Sequence, residues 1–195
     1  MLDKKKNLHI GGEELKRYSK QILIKNIGGD GQRKLKSSKV LVIGLGGLGS
    51  PVVTHLSCAG VGQIGLVDND IVDLSNLQRQ FIHNVDRIGL NKTESAKIFI
   101  NKLNPNLTIY DYVTDAKSPE LKKIIAEYDI IIDCTDNFET RFKIADDCQK
   151  YKKPYILGTV RAYEGQITTI IPSTLKINNP KIRSLFNEEN TVNSL

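Results

Sequence analysis

The segment Gly44-Leu-Gly46-Gly47-Leu-Gly49 has the pattern G-x-G-x-x-G and directly follows the apolar run at 40–43. Glycine suits such a bend because the backbone must turn tightly. Its N–H groups must also approach a phosphate with no Cβ in the way. The chemistry this offers is nucleotide binding. Asp68 stands 24 residues after Gly44, at the end of the next apolar run. A carboxylate there can hold ribose hydroxyls. The plainer alternative is a glycine turn chosen for helix-on-sheet packing alone.

Beyond Asp68 come Asp70, Asn76, Arg79 and Lys92. Lone surface arginines and lysines are ordinarily just solvated, so position decides here. Arg79 follows the second strand's carboxyl end, and Lys92 opens a helix whose N-terminus already favours an anion. Two cations and a helix end suit the triphosphate of ATP better than the less charged pyrophosphate of NAD. A second acidic cluster, Asp133-Cys-Thr-Asp136-Asn137, ends a later apolar run. A carboxylate there can hold Mg²⁺ through one ligand and waters. The alternative is that Asp136 or Asn137 only caps the following helix. Cys134 reads as a small hydrophobe rather than a nucleophile. His9, His55 and His83 share no spacing with other ligand types, and none is assigned a role.

These residues need elements to position them. Helical spacing of Leu15, Tyr18 and Ile22 predicts a helix over 13–26, and a second is expected over 31–37. Strand 40–43, helix 48–59 and strand 64–67 form a βαβ unit with a right-handed crossover. A helix over 91–103 is expected with Asn91 as its N-cap. A strand over 108–113 leads to Ser118-Pro119, a cap followed by proline at the first helical position. Strand 130–132 precedes a helix capped by Asn137 and running to about residue 151. Strands at 155–157 and 167–171 close the pattern. The predicted class is α/β, a doubly wound, mainly parallel, Rossmann-like sheet with an N-terminal helical segment.

Charge and composition narrow the function. Lys and Arg total 28 against 22 Asp and Glu, a net charge of +6. The excess is scattered lysine without interleaved aromatics, so no nucleic-acid partner is expected. Residues 40–67 carry no charge and could span a bilayer by length, but seven glycines, Pro51 and His55 break the run. No membrane association is expected, and no signal peptide is visible in Met1-Leu-Asp-Lys-Lys-Lys. Three cysteines with no C-x-x-C pair argue against a disulfide framework or zinc ribbon, and the cytoplasm is the expected location.

Taken together, several motifs resemble the MoeB/ThiF/HesA family, bacterial relatives of ubiquitin-activating enzymes. They are Glu14-Leu-Lys-Arg17-Tyr-Ser-Lys20-Gln21, the glycine loop, Asp68, Ser75-Asn76-Leu-Gln-Arg79-Gln80, Gly89-Leu-Asn-Lys92 and the Asp133–Asn137 cluster. Arg161-Ala-Tyr-Glu164-Gly165-Gln166-Ile167 is similar to the family's entry into a later strand. The resemblance covers residues 13–171. It implies adenylation of the C-terminal glycine carboxylate of a small ubiquitin-like sulfur carrier, of the molybdopterin-synthase or thiamine type. Mg·ATP would be used and pyrophosphate released. Asp68 would bind the ribose, with Asn76, Arg79 and Lys92 on the phosphates and Asp136 on Mg²⁺. No general base is implied, because the carboxylate is already ionised. A homodimer is also implied, in which Lys20 from a partner's N-terminal helix reaches the phosphates. Lys20 keeps the charge of the family's basic residue but not arginine's bidentate fork.

The sequence departs from the family toward its end. Lys181 and Ser184 stand where a first zinc-binding cysteine pair is usual, and no cysteine follows Cys148. No structural zinc is therefore expected. Residues 1–172 read as the adenylation domain, including the helices at 13–37, and 173–195 as a short remnant of the family's C-terminal region. Leu175, Ile177, Ile182, Leu185 and Phe186 are expected to cover the sheet edge. Three readings stay open: an active adenylyltransferase, an inactive member that retains ATP binding or dimerisation, and an NAD-dependent oxidoreductase.

Overall fold

The computed structural model describes residues 9–172. The helices α1 (Gly12–Ile22) and α2 (Gly28–Ser37) lead into β1 (Lys39–Ile43), α3 (Gly49–Ala59) and β2 (Gln63–Val67). A crossover with one-turn 3₁₀ helices at Leu74–Asn76 and Val85–Arg87 reaches α4 (Lys92–Leu103) and β3 (Thr108–Tyr112). The chain continues through α5 (Pro119–Glu127), β4 (Ile130–Asp133), α6 (Phe138–Lys150), β5 (Tyr155–Arg161) and β6 (Glu164–Ile170). These strands form one six-stranded sheet in the order β3-β2-β1-β4-β5-β6. The first five in that order are parallel, and β6 runs antiparallel to β5. No described helix is long and apolar enough to cross a membrane.

Alternation along β1 explains the layering. Val40 and Val42 pack with Val53 of α3 and with Ala96 and Ile100 of α4. Leu41 and Ile43 pack on the other face with Leu121 and Ile125 of α5 and Ile144 of α6. A strand apolar on both sides is what a parallel sheet covered by helices requires. Because β1 lies between β2 and β4, the chain order reverses there. The crevice opens at the strands' carboxyl ends at that switch point.

Several predicted boundaries shift. The first helix stops at Ile22 rather than 26, because the Leu23 and Ile24 N–H groups turn back to Ser19 and Gln21 carbonyls and tighten the end. The second begins at Gly28 rather than 31, where a φ of +57° suits glycine. Asn91 occupies the N-cap of α4, but its side chain makes no capping bond. Instead the Lys92 N–H donates to the Asp70 carbonyl (2.9 Å), which ties the crossover to the helix start. The strands predicted at 155–157 and 167–171 extend toward each other as a hairpin: β5 and β6 pair through to Arg161 and Glu164 around Ala162-Tyr163. That stretch lacks a buried apolar run because its strand character comes from the ladder, not from burial. The residues expected to cover the sheet edge (Leu175, Ile177, Ile182, Leu185 and Phe186), and Lys181 and Ser184 at the positions of the family's zinc cysteines, lie outside the described residues.

Candidate functional site

The cleft at the switch point gathers most of the predicted residues. Gly44, Gly46, Gly47, Asp68, Asn76, Arg79, Lys92 and Asp136 all line it. Gly44 has φ +90°, and a Cβ there would lie 2.9 Å from the Cys134 carbonyl, so both conformation and space demand glycine. Gly49, assigned to the nucleotide, lies instead beneath the loop as the first residue of α3. A Cβ there would come within 2.1 Å of the Gly44 carbonyl oxygen, so its smallness serves close packing of helix on turn. Lys20 is exposed on α1 and does not line this chain's cleft, so any contact with phosphate requires a second copy.

The acidic residue expected to bind ribose also organises the loop. Asp68 Oδ2 accepts the Leu45 N–H (2.7 Å), and Oδ1 accepts the Asp70 N–H (2.9 Å). Burial pushes its carboxyl above the ordinary value, opposed by these two backbone bonds and by Lys92. Each oxygen keeps a second lone pair available to a hydroxyl donor.

The two cations differ in their surroundings. Arg79 is exposed, with Nη1 donating to the Ser75 carbonyl (3.2 Å). Its stem passes over the loop, where a methyl on Gly47 would sit 3.6 Å from its Cγ and Cδ. Lys92 is buried, and its Nζ donates to Asp70 Oδ2 at 2.7 Å. The lysine side chain is 8% exposed and the aspartate 63%, so the cation is held in place while its counter-ion faces water. Lys92 opens α4 and lines the cleft, as its position in the sequence suggests, but its partner Asp70 was not foreseen.

At the end of β4 the two aspartates divide their tasks. Asp133 is fully buried; Tyr155 Oη donates to Oδ2 (2.6 Å), and the Thr135 N–H and hydroxyl donate to Oδ1 (2.9 and 2.7 Å). Burial raises its pKa, against these bonds and the charge of Arg141. Asp136 is exposed on the cleft wall. Asn137 is the helix cap, its side chain accepting from the Thr140 N–H (2.9 Å). A single exposed carboxylate fits the way Mg²⁺ is usually held, by one or two carboxylates with phosphate oxygens and waters completing the octahedron. Asp136 would hold such an ion. Burial pushes the Cys134 thiol up to about 12, so it stays protonated and unreactive near neutral pH.

Two features escaped the sequence reading. Gln80 is buried on the cleft wall, and its Oε1 has no hydrogen-bond partner. His83, assigned no role, is buried with Nδ1 2.8 Å from Ser95 Oγ and Nε2 3.3 Å from the Leu45 carbonyl oxygen. Gln80 belongs to the Ser75–Gln80 motif but carried no assigned role, and the only advance sign for His83 was its nearness to Arg79.

A mainly parallel sheet with a glycine loop at its switch point, and Arg79, Lys92 and Asp136 lining the same cleft, is a Rossmann-like α/β arrangement. Residues 18–194 match the ThiF family, and the chain belongs to it. It is 43% identical over 182 residues to a probable molybdopterin-synthase adenylyltransferase of Porphyra purpurea, a match covering 93% of this chain and 47% of that protein. The molybdopterin-synthase adenylyltransferase of Haemophilus influenzae is 42% identical over 178 residues, covering 91% of this chain and 72% of the relative. The chain thus spans about half the length of the first of these relatives. A crystal structure of E. coli MccB with AMPCPP and MccA superposes with a TM-score of 0.75 at 28% identity, covering 85% of this chain and 52% of MccB.

Proposed function

We propose that the chain binds Mg·ATP in this cleft and adenylates the C-terminal glycine carboxylate of a small ubiquitin-like sulfur-carrier protein. The observation that carries the reading is the convergence of the glycine loop, Arg79, Lys92 and Asp136 on one cleft. The names of the relatives, and an MccB structure that holds both AMPCPP and MccA, support it.

The chemistry follows from charge. A carboxylate oxygen of the carrier attacks the α-phosphorus and forms a C–O–P bond, while the bond from the α-phosphorus to the bridging oxygen breaks. That electron pair leaves with pyrophosphate, and no proton needs to move. The protein therefore has to align the groups and neutralise charge on the phosphates. N–H groups of the glycine loop that have no acceptor among the described residues face the phosphates, Lys92 and Arg79 add positive charge, and Asp136 would hold Mg²⁺, which would offset charge on the leaving group. Asp68 fixes the ribose. Lys20 reaches a neighbouring cleft if the chain forms a homodimer.

ATP–pyrophosphate exchange with candidate carriers tests this directly. Carrier-dependent exchange is the expected result. ATP binding without exchange for any carrier would point to a nucleotide-binding member without adenylation activity. Tighter binding of NAD than of ATP would return the oxidoreductase reading.

A further inference from the structure

We infer that His83 is a positioning residue for the phosphate-binding loop: it fixes the Leu45–Gly46 peptide so that the Gly46 N–H is aimed at the nucleotide. The role rests on the ATP-binding reading above and adds a residue to it.

The geometry starts with a tautomer. A carbonyl oxygen can only accept, so the bond to Leu45 requires the proton on Nε2. Nδ1 then accepts from the Ser95 hydroxyl. Burial, with Lys92 and Arg87 nearby, holds the imidazole at about 4, so it is neutral at physiological pH and keeps one donor and one acceptor.

In a trans peptide the C=O and the following N–H point in opposite directions. With the Leu45 C=O turned back to His83, the Gly46 N–H points away from it. Gly46 lines the cleft, and its N–H has no acceptor among the described residues. The peptide on the other side of Leu45 is fixed as well, because the Leu45 N–H donates to Asp68. Leu45 is therefore held at both its N–H and its C=O.

The contacts close into a ring. Leu45 N–H reaches Asp68, Asp68 accepts from Asp70 N–H, and Asp70 pairs with Lys92. One turn along α4, Ser95 reaches His83, which returns to Leu45. The ring ties the loop N–H groups, the ribose carboxylate and the phosphate lysine into one rigid unit. Such a support shell keeps anion-binding groups from relaxing away from their ligand. His83 is the member that joins the loop to α4.

Calorimetric titration of Mg·ATP into the full chain tests the role. In His83→Asn the shorter amide no longer reaches the Leu45 carbonyl, and ATP affinity is expected to fall about tenfold, the loss of one aligned hydrogen bond. His83→Gln places an amide N–H near the Nε2 position and should recover most of that loss. Ser95→Ala, which removes only the outer contact, should show a smaller loss. In ¹⁵N spectra the Gly46 amide should shift on ATP addition in the wild type and in His83→Gln, and shift less in His83→Asn. A purely structural His83 would give equal loss in both histidine variants, matched by equal falls in unfolding temperature, and would overturn the role. Wild-type affinity in His83→Asn would also overturn it. A wild type that does not bind ATP would instead overturn the functional reading on which the role rests.

Discussion

Around Leu45, Asp68 and His83 the polar groups are enclosed and paired through contacts between distant parts of the chain. Across the same cleft, the outer β5–β6 hairpin points Val160, Tyr163 and Ile167 into solvent, each more than half exposed. Both regions line the cleft, but they are held by different forces. The first depends on side chains meeting across 22 or more residues of sequence. The second depends on a local backbone ladder closed by a short turn. Substitutions should therefore damage nucleotide binding on the first wall and do little to folding on the second.

The largest expected effect is at Lys92. Lys92→Ala removes a buried cation that lines the cleft and should weaken ATP binding on the order of 10- to 100-fold, read by calorimetry. Unchanged affinity would mean that Lys92 serves only as the partner of Asp70. Next comes Tyr155→Phe, which removes the 2.6 Å bond to the buried Asp133 carboxylate. A loss of about 1.5–3 kcal/mol in denaturant unfolding is expected. A loss below about 0.5 kcal/mol would show that Asp133 is adequately satisfied by Thr135 alone.

Asp136→Asn should raise the Mg²⁺ concentration needed for half-maximal exchange by about tenfold, with little change in stability because the residue is exposed. A magnesium titration that does not move would remove Asp136 from the metal site.

The pH dependence of stability offers a further signal. His83 titrates at about 4 when folded and near 6.5 in an ordinary environment, so the unfolded chain binds more protons between those values. Its contribution is complete above pH 6.5 and declines as pH falls toward 4. Stability should consequently fall less steeply over that window in His83→Gln than in the wild type, by about 2–3 kcal/mol in total. Equal slopes would show that the imidazole is not held neutral. The smallest effect belongs to the hairpin: Ile167→Thr should change unfolding stability by less than about 0.5 kcal/mol. A larger loss would mean that this face is covered in solution.

What the sequence revealed follows the same division. The glycine loop, Asp68 and the alternation of strands and helices were legible because they depend on local spacing and short buried runs. Position even identified Arg79, Lys92 and Asp136 as neighbours of one crevice. The Asp70–Lys92, Asp133–Tyr155 and His83–Leu45 contacts were not legible, since only the folded sheet brings those partners together. Gly49 was read as a ligand contact because the motif does not distinguish a glycine facing phosphate from one beneath the turn. The hairpin was missed for the opposite reason. Residues 158–166, half-buried or exposed, carry no buried apolar pattern, and their strands are made by pairing.

The central claim is that the glycine loop, Arg79 and Lys92 on one wall of the cleft form an ATP-binding surface. Parallel calorimetric titrations with ATP and with NAD, each in the presence of Mg²⁺, test it most directly. Saturable one-site binding of ATP, tighter than that of NAD and lost in Lys92→Ala, is expected. Binding of NAD more tightly than ATP, or ATP binding indifferent to Lys92, would contradict it.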